Sequence, residues 1–392
     1  MDPKLKIMLV HNGYIHEGGE DVVVQRDIDA LRQEDVELEV FVLKSKRSTP
    51  DYMASLGAPF NQGYMTSLLN KMDSWRPDII HSHNLFPLLS PRLYEEASKR
   101  GIASVQSFHN FRPFCLNGLF MTPEKETCER CAGGNYYHGV VRGCYRGSYI
   151  QSLGMAVHLN MARYAGWYGS VDAFITPNQF VKRKYQEYGF PGNKMHVLPH
   201  FLPDANPIPV APAESYVLYV GRLSEEKGLR WLIDLFQKGD CPAPLYIAGR
   251  GPLEAEVQAA QCDSIRYLGF LSDSDKQQYL QKALALVMAS ECYENFPLTM
   301  IEANALGVPT LVPDFGGMAE LVTPNTGRAY VPHDMDSFIE QLQDMLESFS
   351  GLNTRQICQE EVYLKYSKKT VMAARLRLYK ELVGACCSKE NE

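Results

Sequence analysis

Short apolar segments of strand length recur along this chain, with helix-like segments between them, and this rhythm limits the folds that the chain can adopt. Continuous apolar strands that alternate with helices are typical of parallel sheets covered on both faces. The rhythm runs through the first half, stops in the proline- and alanine-rich residues 203–213, and starts again. A chain of 392 residues is also too long for one ordinary core. The sequence therefore predicts an α/β protein of two doubly wound, Rossmann-like domains that face each other across a cleft.

The predicted strands fall into two groups. In the first half they are KIMLV, VELEVFVL, DIIHSHN, ASVQSFHN, AFITPN and KMHVLPH. In the second half they are YVLYVG, APLYIAG, SIRYLGF, ALALVMAS and VPTLVPDFGG. We place the first domain at residues 1–205 and the second at 206–365. Residues 366–392 include TVMAARLRLYKELV, whose periodicity predicts a final helix that packs on one of the two domains, and we favour the first.

Charge and hydropathy exclude several classes of protein. A net charge of −7 argues against nucleic acid as the main partner. No apolar run approaches the roughly 20 residues that span a bilayer, and the first residues lack the longer apolar core of a signal peptide. We therefore expect a cytoplasmic protein. Two short basic runs, KSKR at 44–47 and KRK at 182–184, are more often solvated faces, but they would allow a weak peripheral contact with anionic lipid at the inner membrane face.

Residues 112–150 break the α/β rhythm and form a cysteine-rich insertion in the first domain. Its cysteines, Cys115, Cys128, Cys131 and Cys144, have the spacing C-x12-C-x2-C-x12-C. Four thiolates can complete a tetrahedral zinc site, and a loop-rich segment without its own core would gain stability from one. A cytoplasmic chain disfavours disulfides. We predict a structural zinc, with reduced buried thiols or accidental clustering as the alternatives.

The stretch ECYENFPLTMIEANALG, residues 291–307, places two acids, Glu294 and Glu302, eight positions apart in an apolar segment. Asn295 can cap a helix that runs over residues 297–306. Glu294 then lies in the loop at the positive end of this helix, whereas Glu302 lies inside it. Because a buried charge needs a partner, both acids are candidate site residues.

The stretch YVGRLSEEKG carries two cations just after a predicted strand. Arg222 lies at the tip of the strand, and Ser224 can cap a helix with Lys227 in its first turn. A cation near the positive end of a helix is unfavourable unless an anion binds there. We therefore predict a polyanion site at Arg222 and Lys227. The alternative is a plain ion pair of Lys227 with Glu225 or Glu226.

Glycine turns at other strand ends predict further contacts with a ligand. Gly18 and Gly19 precede a helix whose backbone N–H groups would bind an anion, although a bare turn fits equally well. The segments YIAGRGP and YLGFLSD place Gly249, Arg250 and Phe270 at strand ends where a flat base would lie between backbone groups.

Two acidic motifs, DSD at 273–275 and DMD at 334–336, have the spacing of ligands for a divalent cation. Each lies where a helix begins, however, so that its acids suit caps and first-turn positions. We interpret both motifs as helix starts and predict that catalysis requires no metal cofactor.

The second half of the chain resembles the family 4 glycosyltransferases of the GT-B fold, through GRLSEEKG, AGRGP, the two glutamates and DFGGMAEL at 314–321. The resemblance extends more weakly into the first half through EGGEDVV and SFHN. It implies an enzyme that moves a sugar from a UDP- or GDP-sugar to a hydroxyl of a carbohydrate or lipid-linked acceptor, in the synthesis of polysaccharide, glycolipid or another glycoconjugate. It also implies retention of anomeric configuration, through same-face attack in which the departing phosphate deprotonates the acceptor.

The resemblance further implies roles for individual residues. Arg222 and Lys227 would neutralise the leaving diphosphate without a metal. Glu302 would accept hydrogen bonds from the ribose, Glu294 would lie beside the donor sugar, and His109 would contact that sugar from the first domain. The loops around the sugar would contribute Asn295, Phe296, Pro297, Leu298 and Gly317.

Some assignments stay open at the level of sequence. His81 and His83 end a strand near the predicted cleft and are either catalytic or structural. In this family, Asn-Gly often follows the last strand of the first domain. This chain has LPHFLPD there, so His200 would take the place of that pair. Two other functions remain: a nucleotide-sugar epimerase on a similar scaffold, and a non-catalytic binding subunit. The intact set of charges argues against a binding subunit, because an inactive relative has no need to keep buried charges.

Overall fold

The computed structural model describes residues 3–13, 18–44, 62–203, 207–238 and 240–389. The chain forms two compact units, one of Met1–Pro199 with Met372–Glu392 and one of His200–Val371. The predicted boundary between residues 205 and 206 lies outside the described residues, as does most of the basic run at 44–47. The domain limits that we predicted therefore stay a prediction.

The first unit contains a six-stranded parallel sheet in the order β2-β1-β3-β4-β5-β6. Its strands are β1 Leu5–Gly13, β2 Val36–Lys44, β3 Ile79–Ser82, β4 Ala103–Ser107, β5 Ala173–Thr176 and β6 Met195–Val197. Its helices are α1 Gly19–Leu31, α2 Gln62–Trp75, α3 Arg92–Ser98, α4 Tyr137–Val141, α5 Tyr149–Tyr164 and α6 Gln179–Glu187. All six strands predicted in the first half are formed, and every residue of β3, β4 and β5 is buried, as expected of strands covered on both faces, whereas no residue of the edge strand β2 is buried.

The second unit contains another six-stranded parallel sheet, in the order β12-β11-β10-β7-β8-β9. Its strands are β7 Val217–Val220, β8 Leu245–Ala248, β9 Ile265–Gly269, β10 Ala285–Val287, β11 Thr310–Pro313 and β12 Gly327–Tyr330. Its helices are α7 Leu229–Lys238, α8 Glu254–Ala259, α9 Asp273–Lys282, α10 Leu298–Ala305, α11 Met335–Ser348 and α12 Leu352–Tyr366. The five predicted strands are formed, whereas β12 was not predicted, because its four residues include an arginine and only two are fully buried.

The two acidic motifs begin helices, as predicted. The Ser272 hydroxyl accepts a hydrogen bond from the Asp275 N–H at 3.1 Å and caps α9. The Asp334 carboxylate accepts one from the Ser337 N–H at 2.9 Å and caps α11. Side-chain caps of this kind satisfy N–H groups that the first turn leaves without an intrahelical partner, so the motifs have a structural explanation.

The final helix, α13 (Lys368–Lys389), enters the first unit from Met372 onward. Its Arg375 and Tyr379 side chains are buried there, and they contact Asp27 of α1 and His81 of β3. None of the helices in the described part of the chain combines the length and apolar character that crossing a bilayer requires.

The cysteine-rich residues 112–150 lie between β4 and β5. Together with α5 they form a small apolar cluster, which includes Phe86, Leu116, Cys131, Tyr136, Tyr145, Met155, Ala156 and Leu159. The apolar core of this segment is therefore shared with α5 and Phe86. Packing against α5 supplies the buried surface that the sequence pattern did not reveal.

The strand order of each sheet reverses once, and the reversal marks where a ligand can bind. In the first unit it falls between β1 and β3, and in the second between β7 and β10. Where strand order reverses, the loops at the carboxyl ends of the neighbouring strands diverge and leave a crevice. The residues that follow these four strands are therefore the candidates for a site.

Candidate functional site

The carboxyl ends of β7 and β10 bring Lys227 and Glu294 into contact. Lys227 ends a short 3₁₀ turn after β7, and its ammonium donates a hydrogen bond to the Glu294 carboxylate in the loop after β10. The Ser290 hydroxyl donates a second bond to the same oxygen at 2.8 Å. Gly228 permits this approach, because its φ is +65° and an added Cβ would lie 1.8 Å from the Ala289 carbonyl oxygen.

The immediate surroundings of Lys227 differ from those that we predicted. A glycine in the left-handed conformation separates Lys227 from α7, so Lys227 is not in the first turn of that helix. Ser224 does not cap the turn through its side chain, and its hydroxyl donates to Glu226 at 2.6 Å. The ion pair of Lys227 is with Glu294, not with Glu225 or Glu226.

Electrostatics favour the charged form of Lys227. Burial lowers the pKa of its ammonium, but the Glu294 carboxylate, together with Cys292 and Tyr219, raises the pKa above the usual lysine value. The side chains of Lys227 and Glu294 are 26% and 14% exposed. An ammonium has three donors, so a bond to Glu294 leaves capacity for an anion as well.

Arg222 and Glu226 lie on the same loop. Arg222 is exposed at the tip of β7, and its carbonyl oxygen accepts a hydrogen bond from the Tyr219 hydroxyl at 3.0 Å. Burial raises the pKa of Glu226, but its bond from Ser224 and the charges of Arg222 and Lys227 lower it below the usual glutamate value. The charges of Arg222 and Lys227 thus both act on the Glu226 carboxylate of this loop.

Glu302 lies in α10 and has a partner that the sequence did not indicate. The Lys276 ammonium of α9 donates to the Glu302 carboxylate at 3.1 Å, and the Glu302 side chain is 15% exposed. The helix begins one residue later than predicted, with Pro297 at its N-cap position. The prediction of Asn295 as the cap is therefore wrong, because the chain becomes helical only after Pro297.

Two loops meet beside Glu294. The Gly317 N–H donates to the Glu294 carbonyl oxygen at 3.1 Å, which joins the loop after β11 to the loop after β10. Phe296 is buried, and the His200 ring packs edge-on against it with centroids 5.0 Å apart. Pro297 and Leu298 are half-buried at the start of α10. The predicted sugar-binding residues of this unit are thus neighbours in the structure.

The loop after β8 packs directly on the loop after β7. Gly249 has a φ of +146°, and an added Cβ would lie 1.9 Å from the Gly221 carbonyl oxygen. Beside it, the Arg250 guanidinium lies over the Phe270 ring, 4.7 Å from the centroid. Phe270 is 63% exposed, so the stacked pair of the Arg250 guanidinium and the Phe270 ring has one face open to a ligand.

In the first unit, Gly18 is the N-cap of α1, and its N–H donates to the Asp21 carboxylate at 2.9 Å. The Asp21 carboxylate, in the first turn of α1, therefore already accepts the hydrogen bond of the Gly18 N–H. An added Cβ at Gly18 or Gly19 would meet nothing within 4 Å, so the protein itself does not require glycine there. Anion binding at these glycines stays a prediction.

Three histidines are close together at the carboxyl ends of β3 and β4. His83 Nδ1 lies 2.8 Å from His109 Nε2. His81 contacts the Ser107 hydroxyl at 2.8 Å and the Tyr379 hydroxyl at 2.6 Å. Burial lowers the pKa of His81 and of His83 well below the usual histidine value, so both rings are neutral at pH 7.

The four cysteines lie near each other but do not form a ready metal site. Burial raises the pKa of Cys131 to about 12 and that of Cys144 to about 11, and the other thiols of the set reinforce both shifts. The Cys115 thiol donates to Asn117 at 3.0 Å. Across the described ranges, no group of three or more His, Cys, Asp or Glu side chains is arranged to hold a metal ion. Zinc would require these thiols to move together.

Two family models match the chain in tandem. One, described as Glycosyltransferase Family 4, matches residues 18–205, and the other, Glycosyl transferases group 1, matches residues 204–364. The first model covers five of the six strands of the first sheet, β2–β6, and the second covers all six strands of the second sheet.

Curated relatives share part of the chain. An uncharacterised glycosyltransferase of Methanocaldococcus jannaschii is 28% identical over 190 residues, which cover 45% of this chain and 48% of the relative. The D-rhamnosyltransferase WbpZ of Pseudomonas aeruginosa is 30% identical over 184 residues, 41% of this chain and 44% of the relative. The chain thus matches about half the length of these relatives.

A solved structure, HepE of Anabaena in complex with UDP, aligns with 96% of this chain and 100% of its own, with a TM-score of 0.65 and 16% identity. This likeness shows the fold.

Proposed function

Because the chain belongs to the glycosyltransferases of family 4 and group 1, with the GT-B fold, we propose that it transfers a sugar from a nucleoside diphosphate sugar to an acceptor hydroxyl. UDP- and GDP-sugars are the candidate donors, and UDP is supported by the presence of this nucleotide in the related HepE structure. The acceptor is a carbohydrate or a lipid-linked group, as in the synthesis of a polysaccharide or glycolipid.

The contact of Lys227 with Glu294 carries this proposal. It joins the loops after β7 and β10, the two strands between which the order of the second sheet reverses. In doubly wound sheets this is the place where nucleotides bind. The contact supports the proposal because a cation can bind a diphosphate and the adjacent carboxylate can accept hydrogen bonds from sugar hydroxyls.

The proposed reaction is metal-independent and retains the anomeric configuration. Arg222 and Lys227 stabilise the negative charge that develops on the diphosphate as the bond to the sugar breaks. The acceptor hydroxyl attacks from the face that the diphosphate leaves, and its proton passes to the departing phosphate oxygen. Glu302 binds the ribose, and Glu294 and the loop of Gly317 position the sugar. His109 contributes a further contact with the sugar.

Two variants test the roles of the cations. We expect Arg222→Ala and Lys227→Ala each to lower turnover by at least about 100-fold with the fold intact, because each removes a charge from the leaving group. Arg266→Ala is the matched control, since Arg266 is an exposed arginine of the same unit that packs over Tyr246. Full activity in both Arg222→Ala and Lys227→Ala would overturn the assignment of the diphosphate site.

A panel of nucleotide sugars identifies the donor and separates the alternatives. A ligand at a hundred times its dissociation constant stabilises the protein by about 2.7 kcal/mol, which a thermal-shift assay detects. Slow hydrolysis of the bound donor without acceptor supports a transferase. Conversion to an epimeric nucleotide sugar would instead support the epimerase, and binding without any reaction would support the non-catalytic subunit.

We also propose that the first unit contacts an anionic membrane surface through α5. Five large side chains lie within an arc of about 100° on this helix and are exposed: Tyr149, Ile150, Leu153, Val157 and Tyr164. Residues 130–171 contain four arginines and no aspartate or glutamate, although the whole chain carries a net charge of −7. An apolar helix face that is surrounded by basic residues is suited to contact with anionic lipid.

The basic run at 182–184 is a weaker candidate for this contact. The Lys184 ammonium bonds to Glu129 at 3.0 Å, and the Lys182 ammonium bonds to the Met195 carbonyl oxygen at 2.9 Å. Flotation with phosphatidylglycerol vesicles tests the α5 surface. It should be lost in Leu153→Asp, which alters that surface, and kept in Leu364→Asp, which alters an exposed leucine of the second unit. Equal flotation of both variants would reject the surface.

We retain a structural zinc in the cysteine-rich segment as a proposal. The other thiols of the set help to raise the pKa of Cys131 and that of Cys144, and this effect supports the proposal because it requires the thiols to be neighbours. Metal binding would deprotonate thiols that burial otherwise keeps protonated.

A further inference from the structure

A chain of buried polar contacts in the first unit leads from the final helix to His109. Arg375 of α13 forms an ion pair with Asp27 of α1, with Nη1 and Oδ1 2.5 Å apart. The other carboxylate oxygen of Asp27 faces His83 Nε2 at 3.6 Å. His83 Nδ1 in turn lies 2.8 Å from His109 Nε2. These groups connect two helices to the carboxyl ends of β3 and β4.

This chain of contacts is costly for a purely structural purpose. Asp27 and Arg375 are 1% and 2% exposed, and His83 is fully buried. Burial raises the pKa of Asp27 above its usual value, and the charge of the adjacent Arg375 offsets only part of this rise. Apolar side chains of similar volume would attach α13 to the unit at least as well. The polar groups therefore call for another explanation.

At 3.6 Å the Asp27 oxygen lies beyond hydrogen-bond distance, so it acts on His83 through its charge, which favours one position of the proton on each ring. Neutral His83 has one N–H, and the Asp27 carboxylate can only accept a hydrogen bond. The proton of His83 is therefore on Nε2, because a lone pair there would face a negative oxygen. His83 Nδ1 is then an acceptor, and His109 Nε2 must be the donor.

We propose that Asp27, held by Arg375, acts through His83 to keep the proton of His109 on Nε2, so that His109 Nδ1 is presented as a hydrogen-bond acceptor. Asp27, Arg375 and His83 are positioning residues in this arrangement. The final helix thereby completes a site in the first unit. The inference rests on the proposed function for the role of His109 toward a sugar hydroxyl, but the tautomer itself does not depend on that role.

Nitrogen NMR of protein labelled with ¹⁵N-histidine tests the tautomers directly. In the unmodified full-length protein we expect protonated Nε2 and unprotonated Nδ1 for both His83 and His109, with assignment by His83→Gln and His109→Gln. A proton on His109 Nδ1 would overturn the inference without any further variant.

The variant Asp27→Asn should reverse both tautomers. The amide oxygen of the introduced side chain would take the position beside Arg375, and the amide NH₂ group would face His83 Nε2. His83 then carries its proton on Nδ1, and His109 must accept at Nε2 and carry its proton on Nδ1. Unchanged tautomers in a variant with normal circular dichroism would also overturn the inference.

Tyr379→Phe is the matched control, because Tyr379 lies on the same helix and is equally buried, but it reaches His81. We expect it to leave the tautomer of His109 unchanged. In activity assays, Asp27→Asn should lower kcat at least about tenfold, as wrong tautomers do elsewhere, and leave the Kd for UDP and GDP within twofold. Absence of sugar transfer by the unmodified protein would count against the proposed function, while the NMR result would still decide this inference.

Discussion

Separate replacement of Lys227 and Glu294 tests the site most sharply, since the two side chains contact each other but have opposite proposed effects on a diphosphate. Lys227→Met keeps the length of the side chain and removes its charge. The loss of a charged hydrogen bond costs about 1.5 to 3 kcal/mol, so the affinity for UDP or GDP should fall roughly 10- to 150-fold. Glu294→Gln removes a negative charge beside the diphosphate, so the affinity should stay equal or increase while turnover falls.

Both variants should also lower the free energy of unfolding. Removal of one partner from a fully buried ion pair costs about 3 to 5 kcal/mol. The side chains of Lys227 and Glu294 are 26% and 14% exposed, and water screens the remaining charge, so we expect roughly 1 to 3 kcal/mol for each variant. The double variant leaves neither charge without a partner and should lose less than the sum of the two.

Isothermal titration calorimetry with UDP and GDP measures the affinity, and urea unfolding measures the stability. Lys282→Met is the control, because Lys282 pairs with Glu214 at 2.9 Å and both side chains are more than half exposed. It should change stability by less than about 1 kcal/mol and leave binding unaltered. Undiminished affinity of Lys227→Met for both nucleotides would refute the reasoning.

Four further predictions concern the second unit, the metal independence of the reaction and the cysteines. Glu302→Ala should weaken the binding of UDP or GDP about 10- to 150-fold. Lys276→Met should weaken this binding less, since Lys276 only holds the Glu302 carboxylate. Normal nucleotide affinity of Glu302→Ala in calorimetry would remove the ribose assignment. Gly228→Ala should lower the free energy of unfolding in urea more than Gly269→Ala. Both glycines have a positive φ, but only a Cβ at Gly228 would meet a backbone atom. Equal losses of stability in the two variants would show that backbone strain alone matters. Brief EDTA treatment should leave transfer activity intact, whereas loss restored by magnesium or manganese would contradict the metal-independent reaction. Elemental analysis should find close to one zinc per chain, and its absence with four titratable thiols would reject the zinc proposal.

The sequence was most informative where local physical chemistry decides the structure. Apolar runs predicted eleven strands of the two sheets, because residues of the inner strands are buried on both faces and need no polar alternation, whereas the edge strands β2, β6 and β9 are only partly buried. The caps at Ser272 and Asp334 were also predictable, since a hydroxyl or carboxylate satisfies the N–H groups of the next turn. The strand β12 was missed because it is short and partly polar.

Local rules failed where a neighbour came from another part of the chain. The sequence suggested Glu225 or Glu226 as partners for Lys227, since they are adjacent, but the partner is Glu294. Glu302 needed a partner, and nothing in its own segment indicated Lys276. Asn295 is of a residue type that often caps helices, but the backbone is still extended at Pro297, so the helix begins only after that residue.

The sequence by itself determined the fold class, the family and the residue types of the candidate site, because apolar periodicity and motif spacing are properties of short segments. The tertiary structure decided which charges meet. Lys227 and Glu294 become neighbours because β7 and β10 are adjacent where the strand order reverses, and Arg375 reaches Asp27 because α13 packs on the first unit. Strand order and helix packing depend on the burial of the whole unit, so no local pattern specifies them.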